Sequence, residues 1–265
     1  MPRLLKKVSF PVAIVLLTGM LFLFAGCTVK SGPKNLAAVI PLQTAPAPDA
    51  SLDLAKAFAT TDRDGKKFWF SGWEVSKIQR RNTGFYYNGT YDKEKGYILD
   101  ATILGQPFRY YRWGNDVYVS EEDKWRQVES TRTSMEPFTA FAKLQFLTDK
   151  AIKLPDEEVL SKKCNVYRLT LDYSDAVKVA KSMGLSLTDD KKAIVNDYFK
   201  QMTMTFTIWA GKNDSFIYQY KTITTMPVPG AGSLYEEVYT KFWDYNSASI
   251  TVPGPEKIEK YLIKD

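Results

Sequence analysis

The 265-residue chain contains no histidine. Histidine is the side chain that most often acts as a general base near neutral pH, and it is the commonest metal ligand. Its absence excludes a Ser-His-Asp triad and a Cys-His nucleophile, and it argues against most zinc sites. We therefore expect no metal site and no cofactor.

Carboxylates do not replace the missing base. The acidic pairs in strand-like segments, Glu121-Glu122 and Glu236-Glu237, are adjacent in sequence. Neighbouring residues on a strand point to opposite faces, so the two members of such a pair cannot flank one bond. We predict no catalytic residues and a protein that is not an enzyme.

Cysteine is also scarce, with only Cys27 and Cys164 present. Two cysteines do not make a disulfide framework. Cys164 stands beside a strand-like run over 165–172, which favours a small buried residue over the alternative of a reactive thiol.

Positive charge is present without the clustering that nucleic acid requires. The formal net charge is +6, and Arg3, Lys6 and Lys7 supply half of it in the first seven residues. The first acidic residue is Asp49, and the remaining basic residues are scattered. We expect no nucleic-acid partner, because a phosphate footprint needs grouped cations.

The N-terminus has the pattern of an export signal. A basic start is followed by an apolar run over 8–24 and by the small residues Ala25 and Gly26 before Cys27. This junction resembles the lipobox of bacterial lipoproteins, although Phe24 stands where the lipobox usually has leucine. The resemblance implies cleavage between Gly26 and Cys27 and lipid on the Cys27 thiol, palmitate included. An uncleaved signal anchor and plain secretion are the alternatives, and the anchor shares the topology of the lipoprotein.

The segment over 27–51 is predicted to be a tether. It holds Pro33, Pro41, Pro46 and Pro48 among small and polar residues, and it shows no helical or strand period. The chain therefore divides into a signal peptide over 1–26, a lipidated tether over 27–51 and a single domain over 52–265.

The domain is rich in strands. Alternating apolar residues and Gly, Asn or Asp turns predict strands over 68–78, 85–91, 97–104, 107–113, 117–120, 125–129, 166–172, 202–209, 216–226, 234–245 and 249–252. Helical periodicity predicts helices over 52–60, 134–147, 174–183, 189–201 and 255–262. The predicted class is α+β: one large curled antiparallel sheet of roughly nine to eleven strands, an incomplete β-barrel, with helices packed across its concave face.

Several of these strands carry a recognisable pattern. The relevant segments are Asp116-Val-Tyr-Val-Ser120 with Trp125, Met204-Thr-Phe-Thr-Ile-Trp209, Phe216-Ile-Tyr-Gln-Tyr220, Phe242-Trp-Asp-Tyr-Asn246 and Ile250-Thr-Val-Pro253. From Leu52 to Pro253 the chain resembles LolA-like bacterial lipoproteins of the LppX and LprAFG type. The resemblance implies an incomplete β-barrel with helices at its mouth and an apolar cavity for acyl chains. It implies no catalytic residues.

Strand alternation, the apolar stripe of the helix predicted over 134–147 and the resemblance together predict which side chains line that cavity. The candidates are Trp73, Leu99, Ile103, Phe138, Phe141, Met204, Phe206 and Ile208. Each of them also suits an ordinary hydrophobic core. The predicted function is that of a lipoprotein, anchored on the extracytoplasmic face of the cell membrane, in the periplasm or at the cell surface, that binds or shuttles a lipid or another apolar ligand. The alternative is an interaction or sensor lipoprotein that uses the same fold to dock an envelope protein.

Replacing Cys27 with alanine tests the anchor. Without the thiol no lipid can be attached, so the Cys27→Ala protein should leave the membrane fraction or stay unprocessed. Fractionation and intact mass measure both outcomes, with Cys164→Ala as the matched control. Unchanged processing and membrane retention in Cys27→Ala would refute the lipid anchor.

Overall fold

A computed structural model describes residues 48–79, 81–103, 105–121, 124–128, 144–175, 178, 200–228 and 232–259. The predicted signal peptide, most of the tether and most of the helices predicted over 134–147, 174–183 and 189–201 lie outside these residues. Within the described part of the chain, no helix is long and apolar enough to cross a membrane.

Within the described residues, eleven antiparallel strands form one sheet. They are β1 (Lys67–Ile78), β2 (Arg81–Asp92), β3 (Gly96–Ile103), β4 (Gln106–Trp113), β5 (Asp116–Glu121), β6 (Lys124–Val128), β7 (Ile152–Val159), β8 (Lys162–Leu171), β9 (Thr203–Gly211), β10 (Ile217–Val228) and β11 (Gly232–Trp243). The strand order is β6-β5-β4-β3-β2-β1-β11-β10-β9-β8-β7. Strands β1–β6 and β7–β11 are thus two meanders, and β1 pairs with β11 to join them.

A long helix, α1 (Pro48–Asp64), precedes the sheet and begins four residues before the predicted start at Leu52. Its buried residues Ala50, Leu54, Ala57 and Phe58 follow the spacing of one helical face. This face packs against a 3₁₀ helix (Gln145–Lys150) and against β7 and β10.

The side of the sheet that carries α1 is the inner face, and its side chains form the largest core. That cluster includes Val117 and Tyr110 from one meander and Tyr167 and Leu169 from the other. The sheet must curl for both ends to reach one core, yet β6 and β7 remain unpaired with each other. The predicted fold class, an antiparallel sheet that is not closed into a barrel, is confirmed.

The chain after β11 crosses the outer face. Val252 and Ile258, the latter in a short helix α2 (Glu256–Glu259), pack against Tyr111, Tyr118 and Trp125. The strand predicted over 249–252 is wrong. Both edges of β11 are already occupied by β1 and β10, so this segment has no adjacent edge to join and binds the sheet through side chains instead.

Strand β7 was not predicted, because Pro155 and the charged residues around it hide its apolar alternation. Proline is tolerated at a sheet edge, where its missing N–H breaks no ladder. The register also shifts between Leu154 and Glu157. Proline, charge and an irregular register are devices that keep an open edge from pairing with other chains.

Two leucines of α1 offer a matched test of this packing. Leu54 is 0% exposed and Leu52 is 72% exposed. Leu54→Ala should lower the free energy of unfolding by about 2–5 kcal/mol, because it leaves a cavity in the inner core. Leu52→Ala should change it by less than about 0.5 kcal/mol. Denaturant unfolding of both variants measures the difference, and equal effects would contradict the assigned orientation of α1.

Candidate functional site

The structure places most of the predicted cavity residues on the inner face. Leu99, Ile103, Met204, Phe206 and Ile208 all belong to or pack against the core that α1 covers. Phe138 and Phe141 lie outside the described residues.

Trp73 lies on the opposite side of the sheet, which corrects its predicted position. The inner face of β1 is formed by Phe68, Phe70 and every second residue after them. Trp73 is out of phase with this set and points outward. There its ring stacks on Tyr239 of β11, with centroids 5.7 Å apart. Alternation separates the two faces of β1, but Trp73 belongs to the outer one and not to the predicted cavity.

Toward the β6 edge, the described part of the inner face carries apolar side chains that are not fully buried. Phe85, Ile103, Phe108, Val119 and Val128 are only partly buried, although each packs against the inner core. Their strands are consecutive, β2 to β6, so these side chains form a continuous apolar strip. We call this set the apolar strip.

Polar groups occupy the centre of the inner face, beside the apolar strip. The Tyr87 hydroxyl and Thr240 Oγ1 share a hydrogen bond of 2.5 Å, and both residues are buried. Gly72 makes room for this contact, because a Cβ at that position would lie 2.5 Å from the Tyr87 hydroxyl. Burial raises the pKa of the neighbouring Tyr220 to about 12. These phenols are therefore hydrogen-bonding groups and carry no charge at neutral pH.

Two carboxyl groups lie beside these phenols. Glu74 of β1 is paired with Val238 of β11, and Ser76 is paired with Glu236, so the two glutamates are diagonal neighbours on one face. Each residue is 8% exposed. We call Glu74 and Glu236 the carboxyl pair.

Burial and proximity change the acidity of the carboxyl pair. Burial, reinforced by repulsion from Glu236, raises the pKa of Glu74 to about 9. Burial also raises the pKa of Glu236 to about 7, against the opposing effect of a hydrogen bond from Ser76. Near neutral pH the pair therefore holds at least one proton and can both donate and accept hydrogen bonds.

Glu237 shows the contrast expected from alternation. It lies on the outer face, where the Lys221 ammonium and the Tyr235 hydroxyl reach its carboxylate at 2.6 and 2.7 Å. Partial burial tends to raise its pKa, but these two partners outweigh that effect and lower it. Sequence reasoning considered Glu236 only with Glu237 and missed its cross-strand neighbour Glu74. The available signal was that Glu74 alternates in phase with Phe68 and Phe70.

A second concave region lies on the outer face. It has a volume of about 550 Å³ and is lined by Ser71, Leu160, Lys162, Asp214, Phe216, Tyr218, Lys241, Trp243, Asp244 and Tyr245. We call it the outer pocket. Leu160 and Asp244 have φ values of 51° and 54°, a left-handed conformation that is uncommon outside glycine.

The outer pocket combines aromatic rings with exposed charge. The Tyr218 hydroxyl donates to Asp214 at 2.7 Å, and the Lys162 ammonium lies 5.7 Å from the centre of the Tyr218 ring. Beneath it, Cys164 is buried as predicted, and burial raises the pKa of its thiol to about 11. That thiol is protonated at neutral pH and is not activated as a nucleophile.

No family model and no curated protein matches the chain. Among solved structures, LprF from Mycobacterium bovis has a TM-score of 0.47 at 9% identity, covering 80% of this chain and 99% of that chain. Lipoprotein LppX from Mycobacterium tuberculosis has a TM-score of 0.41 at 9% identity, covering 77% and 99%. A LolA superfamily protein from Nitrosomonas europaea has a TM-score of 0.30 at 12% identity, covering 79% and 96%.

These structures include the lipoprotein groups that the sequence resembles. Another similar structure is the complex of MucA with MucB from Pseudomonas aeruginosa, with a TM-score of 0.36 at 11% identity, covering 80% of this chain and 60% of that chain. Likeness at this level assigns neither a ligand nor a partner to the present chain.

The carboxyl pair predicts how stability depends on pH. A carboxyl group whose pKa is higher in the folded state than the unfolded value of 4.5 stabilises the fold as long as it is protonated. That stabilisation is lost as the pH rises through the folded-state pKa values, about 7 for Glu236 and about 9 for Glu74. The free energy of unfolding should therefore fall between about pH 5 and pH 9. Glu74→Gln should reduce that fall by about 1 kcal/mol or more, since one pKa unit corresponds to about 1.4 kcal/mol.

Glu237→Gln is the matched control, because its side chain is ion-paired on the outer face. It should leave the slope between these pH values unchanged. Denaturant unfolding at a series of pH values measures all three proteins. An equally steep fall in Glu74→Gln would show that Glu74 is not the titrating group.

Proposed function

We propose that this chain is a non-enzymatic, extracytoplasmic lipoprotein that binds an apolar ligand on the inner face of its open sheet. Lipid on Cys27 holds it on the membrane, and the tether separates the sheet from the lipid headgroups. The ligand is a lipid or another molecule with an acyl-like body.

The apolar strip is the observation that carries this proposal. A soluble domain gains stability by burying such side chains, at roughly 25 cal/mol per Å² of apolar surface. Here five consecutive strands leave large inner side chains partly exposed. A ligand with an apolar body would cover that surface and gain the corresponding free energy.

The open edge of the sheet supports the same function. Because β6 and β7 do not pair with each other, the described residues leave a gap between these two edges of the curled sheet. A closed barrel fixes its interior volume, whereas an open one can widen to admit a ligand. The apolar strip ends at Val128 on β6, beside this gap.

The outer pocket favours a second candidate function, the docking of an envelope protein. Lys162 and Lys241 form no ion pair with a described carboxylate, and Trp243 lines the same pocket. An acidic, aromatic segment of a partner protein would complement those groups. This function leaves the inner face without a ligand and is therefore distinguished by the experiment below.

Phe85 and Tyr86 provide a matched pair for testing ligand binding. They are adjacent on β2, with Phe85 in the apolar strip and Tyr86 outside it and 72% exposed. Phe85→Ser should weaken binding of a fluorescent fatty-acid analogue by about tenfold, because it removes roughly 1.4 kcal/mol or more of apolar contact. Tyr86→Ser should bind as tightly as the wild type.

Native mass spectrometry of the gently purified protein supplies a second measurement, the mass of any co-purified ligand. Thermal unfolding should show that both serine variants are folded. Absence of ligand in every preparation, together with no binding of the analogue by the wild type, would reject the inner-face function and leave docking at the outer pocket.

A further inference from the structure

The carboxyl pair lies at the deep end of the apolar strip. Glu74 is paired with Phe85 on β2, and Phe85 is paired with Ile103 on β3. Along this row the side chains change from buried at Glu74 to partly buried at Phe85 and Ile103. An amphiphile lying along the row would bring its polar end to Glu74.

The carboxyl pair has no cationic partner among the described residues. Glu74 Oε2 is buried without a hydrogen bond in this part of the chain, and neither glutamate forms an ion pair there. The Ser76 hydroxyl donates a hydrogen bond to Glu236. It does not satisfy Oε2 of the diagonal neighbour Glu74. Removing an unpaired carboxyl from water is costly, so such groups are rare unless they serve a purpose.

A third polar side chain faces the same place. Thr222 of β10 is paired with Val238, which puts it diagonal to Glu236 on the inner face. It is 2% exposed, and its Oγ1 has no hydrogen-bond partner among the described residues. An unsatisfied hydroxyl and an unsatisfied carboxyl thus lie on either side of Glu236 on the inner face.

We propose that Glu74, Glu236 and Thr222 bind the head group of the inner-face ligand, and that this head group is a hydrogen-bond donor, with a protonated amine as the preferred case. The proposal rests on the proposed function and specifies its ligand class. An ammonium supplies three donors and a positive charge, which matches two carboxyl groups and a hydroxyl. A carboxylate or phosphate head group would be repelled by whichever carboxyl of the pair is ionised, and the low dielectric of a buried site strengthens that repulsion.

Amphiphiles with identical tails isolate the head-group effect. Dodecylamine, dodecanol and dodecanoate share one apolar chain, so differences in their affinity report the head group alone. At neutral pH and below the micellar concentration, calorimetry on the wild type should show dodecylamine binding about tenfold or more tighter than dodecanoate, with dodecanol between them. The Glu74→Gln/Glu236→Gln double variant should bring the amine-to-carboxylate ratio close to one and still bind dodecanol.

Glu237→Gln, on the outer face of the same strand, is the control and should keep the wild-type preference. Thermal unfolding establishes that each variant is folded. Equal affinity of the wild type for all three amphiphiles would overturn the head-group proposal and leave the proposed function intact. An amine preference that survives in the double variant would also overturn it. If no amphiphile binds the wild type at all, the proposed function itself fails.

Discussion

The pairing of β1 with β11 is the constraint on which the rest of the structure depends. It runs from Trp69 opposite Trp243 to Ile78 opposite Leu234. It joins the strand that comes first along the chain to the strand that comes last. Without it the two meanders would be separate sheets, each with one more open edge. The same register puts Phe70 beside Phe242 in the core and sets Glu74 diagonal to Glu236. One non-local ladder thus determines both the curled core and the carboxyl pair.

The turn after β11 fixes that ladder at one end. Asn246 accepts hydrogen bonds from the N–H groups of Lys66 and Lys67 at 2.9 and 3.3 Å, and its amide donates to the Asp64 carbonyl at 2.8 Å. Tyr245 stacks on Phe216, with centroids 4.4 Å apart. The Asp-Tyr-Asn sequence noted as part of the family resemblance therefore has a physical role. It satisfies the backbone between α1 and β1 and packs the end of the sheet.

Local sequence patterns predicted the strands well wherever alternation and turns are clear. Strand β1 was predicted from Phe68 to Ile78 and lies over Lys67–Ile78. The prediction failed at β7, where Pro155 and charge conceal an edge strand, and at 249–252, where β-like residues have no edge to pair with. Both failures have one cause, since strand formation depends on whether a neighbouring edge is free, and a local window does not contain that information.

The inner site was harder to predict for a related reason. Alternation divides a strand into two sets of residues but does not say which set faces the core. In β1 the outward set contains Trp69 and Trp73, and the inward set contains Gly72 and Glu74, so hydrophobicity alone favours the wrong face. The carboxyl pair is beyond local reasoning altogether, because no turn connects β1 with β11 and their register is set by the whole sheet.

The proposed head-group site would link ligand binding to the stability of the sheet. The two members of its carboxyl pair lie on β1 and β11. The free-energy cost of keeping an ionised carboxyl away from water therefore destabilises the β1–β11 pairing that joins the meanders. A head group that neutralises the pair binds the folded state and not the unfolded chain, and it stabilises the fold in proportion to the logarithm of its concentration. The β1–β11 pairing is then least stable when the site is empty and the carboxyls are ionised. A curled sheet of this kind would open more readily to admit a ligand and close more firmly around one already bound.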